Sequence, residues 1–253
     1  DVWPLPTKEV HFFSADPSRA VELARYEALF AAAPATVRAG ESTPEYLFSP
    51  AAPARIASAF PRPPRMVAML RDPADRAYSQ YWHLVRAGRV RGSFEDALAL
   101  ELDDPGPSDE PERTYRRLGL VARGRYLEQL RRFEGTFGRE PLLVLTLDEL
   151  RARPEATLDR VADHLGVRPL GEGWGALRVS NPAQRSLLPR WLRARTSWRP
   201  NVRWRRVVSG RTQRPFVPPP MDPATRRRLD EEFRADNAAL GEWLDADLSG
   251  WSR

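Results

Sequence analysis

The sequence predicts an α/β domain in which a central parallel sheet is covered by helices on both faces. Two short apolar runs, Arg65–Leu70 and Leu142–Leu147, lack the alternation of a half-exposed strand and therefore indicate strands buried on both faces. Segments with helical periodicity flank both runs, and this alternation is typical of an open α/β sheet. The 253 residues, 42% of them hydrophobic, suffice for one domain with a buried core.

The remaining elements follow from capping residues and apolar spacing. A third strand is expected at Thr36–Ala39, where Gly40 stops it. Proline and N-cap residues mark several helix starts, and Gly166 closes one helix as a typical C-terminal cap. The predicted helices begin near Pro17, Asp72, Ser93, Tyr126, Pro154 and Asp222. Residues 173–221 show no clear period.

Charge is concentrated in one segment. Residues 173–221 hold 11 Arg and no acidic residue, so the rest of the chain, with 29 of the 40 basic residues and all 34 acidic ones, carries a net charge of −5. Four interpretations stay open for the segment: a lid or acceptor groove, a nucleic-acid surface, an anchor on anionic lipid, or an excursion that packs its Trp residues on the domain. Nucleic acid and lipid are the less favoured partners.

Composition excludes several chemistries. Cysteine is absent, which removes disulfides, Cys-ligated metal sites and a thiol nucleophile. A count of three His residues does not favour a multi-His metal site, so no metal is expected. No apolar run approaches 18 residues, so the sequence predicts no transmembrane segment. We expect a soluble, cytoplasmic chain and leave an upstream anchor open. The oligomeric state is not predicted.

The motif RDPADRAYSQY, from Arg71 to Tyr81, has the features of an anion site. Arg71 follows a buried strand and precedes a helix, and α/β folds bind ligands at the carboxyl ends of their strands. The helix start offers N–H groups and a positive dipole end, with Ser79 two turns further on. The alternative is an Arg71–Asp72 pair that fixes the turn.

Two further motifs are weaker in isolation. KEVHFF places Lys8, Glu9 and His11 beside two aromatic residues, and in an extended segment Glu9 and His11 would share one side. A positioned carboxylate of this kind is a candidate general base. The alternative is a surface Lys–Glu dipeptide with a hydrogen-bonded histidine. ESTPEYL, Glu41–Leu47, is expected to form a plain loop.

In this order, KEVHFF, ESTPEYL and RDPADRAYSQY resemble the sulfotransferases that use 3′-phosphoadenosine 5′-phosphosulfate (PAPS). The nearest branch resembles the heparan sulfate glucosaminyl sulfotransferases and their bacterial relatives. The resemblance continues through GRYLEQLRRF, PLLVLTLDEL and the last helix, and so covers essentially the whole chain. It implies a P-loop-like three-layer fold with PAPS as co-substrate, 3′,5′-ADP as product and no metal.

The resemblance also implies roles for individual residues. Arg71 and Ser79 match the family's 3′-phosphate site. Glu9 matches the carboxylate that deprotonates the acceptor in one branch, with His11 and Lys8 beside it in the same catalytic motif. In addition, two segments match parts that line the nucleotide or the cleft, namely those around Tyr126 and Arg185. The implied reaction moves a sulfuryl group to a hydroxyl or amine of a carbohydrate or small metabolite.

One departure from the family is large. Its P-loop-like turn, which grips the 5′-phosphosulfate, should precede KEVHFF by a couple of dozen residues, whereas seven residues precede Lys8 here. We therefore predict that residues 1–253 are a single sulfotransferase domain that lacks its N-terminal strand and loop. Two alternatives follow: a relative that binds nucleotide or anionic glycan without turnover, or a nucleic-acid binder that acts through residues 173–221.

Overall fold

The computed structural model describes residues 2–5, 8–14, 23–103, 119–169, 184–186 and 213–252. Its strands are β1 (Val2–Pro4), β2 (Arg38–Gly40), β3 (Met66–Leu70), β4 (Leu142–Thr146), β5 (Gln184–Ser186) and β6 (Gln213–Pro215). Its helices are α1 (Leu23–Glu27), α2 (Glu45–Phe48), α3 (Ala52–Ala59), α4 (Pro73–Arg86), α5 (Phe94–Asp103), α6 (Tyr126–Phe137), α7 (Leu147–Ala152), α8 (Pro154–Leu165) and α9 (Pro223–Leu244).

The predicted parallel pairing of strands is confirmed. β1 runs parallel to β2, and β3 runs parallel to β4 with Met66 opposite Leu142 and Leu70 opposite Thr146. Within the described residues these strands form two separate pairs, and β5 pairs with β6 in the antiparallel sense. The described parallel strands therefore form two separate ladders. That the chain lacks the family's N-terminal strand stays a prediction.

The prediction that β3 is buried on both faces is wrong. Leu70 is 1% exposed, but Val67 and Met69 are 42% and 45% exposed, so alternate residues of β3 differ in burial. The reason is coverage: successive side chains of a strand point to opposite faces, and the face that carries Val67 and Met69 is only partly covered. β4 comes closer to the expectation, because Leu142, Val144 and Leu145 are all buried.

The helix ends that capping chemistry predicted are confirmed. Asp72 and Asp222 each accept two N–H groups in the first turns of α4 and α9. Ser93 and Asp96 bond reciprocally at the start of α5 in the manner of a capping box. Gly166 ends α8 in the left-handed conformation (φ 64°), which glycine adopts without a Cβ penalty.

Three short helices lie where the sequence predicted none. α2 begins within the loop expected at Glu41–Leu47, because Pro44 adopts a helical backbone (φ −56°) and so opens α2 directly. α3 follows in a stretch for which the sequence predicted no element. α7 ends the second predicted strand one residue early, since the Thr146 hydroxyl caps it by accepting the Glu149 N–H at 3.0 Å. The predicted start of the first helix at Pro17 lies outside the described residues, which begin that helix at Leu23.

Two hydrophobic clusters hold the elements together. The larger one joins Phe13, Leu70, Tyr126 and Trp251, so the segment after β1, the end of β3, the start of α6 and the C-terminal turn share one core. The smaller one packs α4, α5 and α9 around Phe233. Burial of this kind stabilises a fold by about 25 cal/mol per Å² of apolar surface. It places the KEVHFF segment and the end of β3 in a single packed body.

Candidate active site

The candidate residues follow the carboxyl ends of parallel strands, where α/β folds place ligands. Residues 8–11 come four residues after β1, Glu41 directly after β2, and Arg71 directly after β3. The Leu5 N–H donates to the Gly40 carbonyl at 3.0 Å and extends the β1–β2 ladder toward this end. Each motif thus lies at or soon after the carboxyl end of a parallel strand, the first two on one strand pair and the third on the other.

Glu9 and His11 form a pair, although not through the extended backbone that the sequence predicted. Both adopt left-handed φ angles, 55° and 56°, which are uncommon for residues other than glycine. Their side chains approach with His11 Nε2 3.6 Å from Glu9 Oε2. His11 Nδ1 also lies 3.4 Å from the Ser14 hydroxyl. Strained backbone of this kind persists only where its surroundings hold it, and it concentrates at functional sites.

Residues 41–47 are not a plain loop, because Glu41 is a hydrogen-bond acceptor for three side chains. Its Oε1 accepts from the hydroxyls of Tyr26 at 2.9 Å and Tyr46 at 2.7 Å, and its Oε2 from Thr43 at 2.7 Å. The neighbouring Ser42 carbonyl accepts the Glu9 N–H at 3.2 Å. The second motif therefore supports the first one directly.

Arg71 has no ion-pair partner among the described residues. Its neighbour Asp72 pairs instead with Arg226, whose Nη2 lies 2.5 Å from Asp72 Oδ2, so the expected alternative of an Arg71–Asp72 pair is wrong. Arg71 donates to the Asp75 carbonyl, while its buried Nε has no hydrogen-bond partner. Burial lowers the pKa of Arg71, but an arginine stays protonated. A cation without an ion-pair partner among the described residues thus lies at the end of β3.

The start of α4 is less open to an anion than the sequence suggested. Asp72 Oδ1 accepts the N–H groups of Ala74 at 2.8 Å and Asp75 at 3.0 Å, and Pro73 has no N–H to offer. The prediction of free N–H groups is therefore wrong for these residues, because an Asp at the N-cap satisfies them itself. Ser79 lies further along α4, where its side chain is exposed and takes no part in the Asp72 cap.

Comparison with known proteins decides the family. The sulfotransferase domain model matches residues 5–175, well over half of the chain. The chain belongs to the sulfotransferase family. A solved sulfotransferase from Alicyclobacillus acidocaldarius is 27% identical, with a TM-score of 0.68, over 100% of this chain and 89% of that one. The α/β sulfotransferase fold that the sequence predicted is thereby confirmed.

Curated relatives of this sulfotransferase include glycan-modifying enzymes. The bifunctional heparan sulfate N-deacetylase/N-sulfotransferase 4 of Mus musculus is 34% identical over 135 residues, which are 51% of this chain and 14% of that protein. Carbohydrate sulfotransferase 15 of Homo sapiens is 24% identical over 203 residues, 76% of this chain and 32% of that protein. The chain thus spans about a seventh to a third of these relatives.

Sequence reasoning missed two arginines that shape the site of this sulfotransferase. The guanidinium of Arg76 on α4 donates to the carbonyls of Gly119, at 3.1 Å, and Leu120. Burial of this group lowers its pKa to about 10. Arg226 on α9 binds Asp72, so that carboxylate forms its ion pair with Arg226 rather than with Arg71. No sequence signal separates these two from the other arginines, because their roles depend on contacts distant in the chain.

Of the other predicted site residues, the structure describes the side chains of Tyr126 and Lys8 but only the backbone of Arg185. Tyr126, at the start of α6, is buried and donates its hydroxyl to the Arg71 carbonyl at 3.0 Å. Lys8 is exposed directly before Glu9. The backbone of Arg185 pairs with Arg214 between β5 and β6, while its side chain and most of residues 173–221 lie outside the described residues. In the described part of the chain, no three His, Cys, Asp or Glu residues form a metal-ligand cluster, and no helix has the length and apolarity to cross a bilayer.

Proposed function

We propose that this sulfotransferase moves a sulfuryl group from PAPS to a hydroxyl or amine of a carbohydrate or small-metabolite acceptor. The observation that carries the proposal is Arg71, a half-buried cation without a carboxylate partner among the described residues, at the carboxyl end of a parallel strand. The named activities of the relatives favour a glycan acceptor.

The donor side of the site fits a phosphate group. Arg71 offers the guanidinium of a half-buried side chain with no ion-pair partner among the described residues, and Ser79 offers an exposed hydroxyl on the helix that Arg71 precedes. Arginine and hydroxyl donors suit phosphate oxygens, because charge-assisted hydrogen bonds are the stronger ones. These two residues would hold the 3′-phosphate of PAPS, and PAPS supplies the sulfuryl group. Tyr126 holds the Arg71 carbonyl and so fixes the backbone from which Arg71 extends.

The acceptor side of the proposal is assigned to Glu9. An exposed carboxylate can take the proton of an acceptor hydroxyl or amine as that group attacks. His11, 3.6 Å from the Glu9 carboxylate, would orient it, and the exposed Lys8 lies beside both. Support comes from the two left-handed backbones, which hold the side chains together at a cost of roughly 1–3 kcal/mol each.

Calorimetric titration of 3′,5′-ADP tests the donor side. Wild type is expected to bind saturably, and Arg71→Ala to lose that binding by at least about tenfold, as loss of a charged hydrogen bond implies. Arg65→Ala is the matched control, because Arg65 begins the same apolar run but pairs on the surface with Glu140. A folded wild type that does not bind, or equal losses in both variants, would overturn the assignment of Arg71 and Ser79.

Transfer of radiolabelled sulfate from PAPS to desulfated heparan sulfate oligosaccharides tests the proposed chemistry. Glu9→Gln should lower kcat by about 10²–10⁴-fold, the usual contribution of a general base, and leave 3′,5′-ADP affinity unchanged. Unchanged turnover would refute Glu9 as the base. A folded protein that binds 3′,5′-ADP and transfers nothing would instead be a binding relative without turnover.

We also propose that residues 1–253 are one domain in which residues 173–221 form a lid or acceptor groove. The C-terminal end of this segment contacts α4: Tyr78, next to Ser79, donates its hydroxyl to the Pro219 carbonyl at 3.0 Å. The ring of Phe216 packs against Trp82 at 5.3 Å between centroids. Glycan binding that weakens when arginines of this segment are replaced is the expected result. Binding to DNA that falls steeply with salt and ignores Arg71→Ala would favour a nucleic-acid surface instead.

A further inference from the structure

Glu41 is an anionic carboxylate whose described partners are neutral. Within the described residues it forms no salt bridge, and both of its oxygens accept hydrogen bonds from hydroxyl groups: Tyr26 and Tyr46 on Oε1 and Thr43 on Oε2. Hydrogen bonds to an ionised acceptor are about twice as strong as neutral ones. Glu41 therefore ties three side chains from two segments to one point directly after β2.

The two tyrosine rings that Glu41 holds lie against the catalytic motif. Tyr26 stacks on Phe12 with centroids 4.7 Å apart and meets Phe13 edge-on at 5.0 Å. Tyr46 meets Phe13 edge-on at 5.5 Å. Such pairs contribute about 0.5–1.5 kcal/mol each beyond the apolar area that they bury. Phe12 and Phe13 directly follow His11, so these rings determine where the motif enters the core.

The backbone of the motif is held by the same region. The Glu9 N–H donates to the carbonyl of Ser42, the residue after Glu41, at 3.2 Å. At the other end of the motif, Arg55 of α3 donates to the Phe13 carbonyl at 3.2 Å. Two left-handed residues, Glu9 and His11, lie between these two anchors. Left-handed backbone needs such external support, because it is unfavourable for these residue types.

We propose that Glu41 is a positioning residue, which holds Tyr26 and Tyr46 against Phe12 and Phe13 and thereby keeps Glu9 and His11 paired. The inference rests on the proposed function only in so far as Glu9 is the general base. The pKa of both tyrosines lies above the ordinary value, mainly because they are buried and also because they interact with Glu41. Their hydroxyls therefore remain donors throughout the working pH range.

Proton NMR of the histidine rings tests the positioning without any reaction. The chain has three histidines, and His83 on α4 and His164 on α8 serve as internal references. Glu41→Ala should shift and broaden the His11 ring signals and leave the other two in place. Glu27→Ala, which removes an exposed carboxylate next to Tyr26, should change none of them. An unmoved His11 signal in Glu41→Ala would overturn the proposal.

A second pair of substitutions identifies the route of the effect. Tyr26→Phe combined with Tyr46→Phe keeps both rings and removes the hydroxyls that Glu41 accepts, so it should reproduce the His11 shift of Glu41→Ala. Adding Glu41→Ala to these two changes should then cause no further shift. If Glu41→Ala fails to fold, the double variant serves as the test in its place: a wild-type His11 signal overturns the proposal and a shifted one supports it.

Kinetics separate positioning from general structural support. Glu41→Ala should lower kcat by about 10–100-fold, because small misplacement of a reacting group has effects of that size, and leave 3′,5′-ADP affinity within twofold. In a Glu9→Gln background it should lower kcat no further. Equal losses of kcat and 3′,5′-ADP affinity, or fully additive losses with Glu9→Gln, would overturn the proposal. If Glu9→Gln alone leaves turnover unchanged, the base assignment fails, while the His11 signal still decides the positioning.

Discussion

Replacing Arg226 with Met is expected to destabilise the fold by about 3–5 kcal/mol. Arg226 is 18% exposed and pairs with Asp72, 10% exposed, and Asp230, 9% exposed. Removal of one partner from a buried ion pair leaves an uncompensated charge and costs about this much. Its contact with the exposed Asp75 adds less than about 1 kcal/mol. Met has a helix propensity similar to that of Arg and an apolar side chain like the stem of Arg, so the lost stability measures the effect of removing the charge.

Urea unfolding followed by circular dichroism measures this loss. With a slope of about 3 kcal/mol/M, the midpoint should fall by about 1–1.7 M. Arg234→Met is the matched control, because Arg234 lies on the same helix and pairs with Glu231 where both are exposed. We expect less than about 1 kcal/mol from that change. Equal midpoints for the two variants would refute the argument that the Arg226 ion pairs stabilise the fold more strongly because they are buried.

The destabilisation should depend on pH. Burial already raises the pKa of Asp72, against the lowering effects of the Asp75 N–H and Arg226. A carboxylate whose folded pKa is raised adds most stability below its unfolded pKa of about 4, and that contribution is lost as pH rises through the folded pKa. Loss of Arg226 raises the pKa of Asp72 further. The difference between Arg226→Met and wild type should therefore shrink as pH falls from neutral toward about 4, and a difference independent of pH would contradict this reasoning.

Three further substitutions test the packing around the site. Gly124→Ala should destabilise by about 1–3 kcal/mol, because a Cβ there would lie 2.7 Å from ring atoms of Phe233; an unchanged thermal midpoint would contradict this. Gly166→Ala should cost about 1–2 kcal/mol, measured in urea, because φ is 64°; no loss would mean that the helix end relaxes freely. Tyr126→Phe should weaken 3′,5′-ADP binding two- to tenfold in calorimetry, since it loses a bond to the Arg71 carbonyl; unaltered affinity would exclude this support.

Local chemistry explains what the sequence predicted well. Asp72, Asp222 and Gly166 cap their helices through bonds to residues within a few positions, and such bonds depend on sequence neighbours alone. The pairing of Glu9 with His11 was predicted from an extended backbone and is present through a left-handed one. Residues two apart can share a side in either conformation, so the correct pairing did not require the correct backbone.

The rest of the site depends on partners distant in sequence. Asp72 pairs with Arg226 rather than with Arg71, and nothing near Asp72 in the chain indicates that choice. The exposure of Val67 and Met69 likewise depends on which elements cover β3, whereas their apolar character alone predicted burial. The short helix α3 forms against α6, so tertiary packing rather than propensity accounts for it. The roles of Arg71, Ser79 and Glu9 stay predictions.

The pair between Asp72 and Arg226 also has a consequence for biosynthesis, because 154 residues separate its members. Translation at about 5–20 residues per second delivers Arg226 roughly 8–30 s after Asp72. During that interval Arg226 is absent, and the Asp72 carboxylate has Arg71 as its nearest cation in sequence. The proposed 3′,5′-ADP site of the ribosome-bound chain should therefore form late, as α9 docks, rather than gradually with chain length.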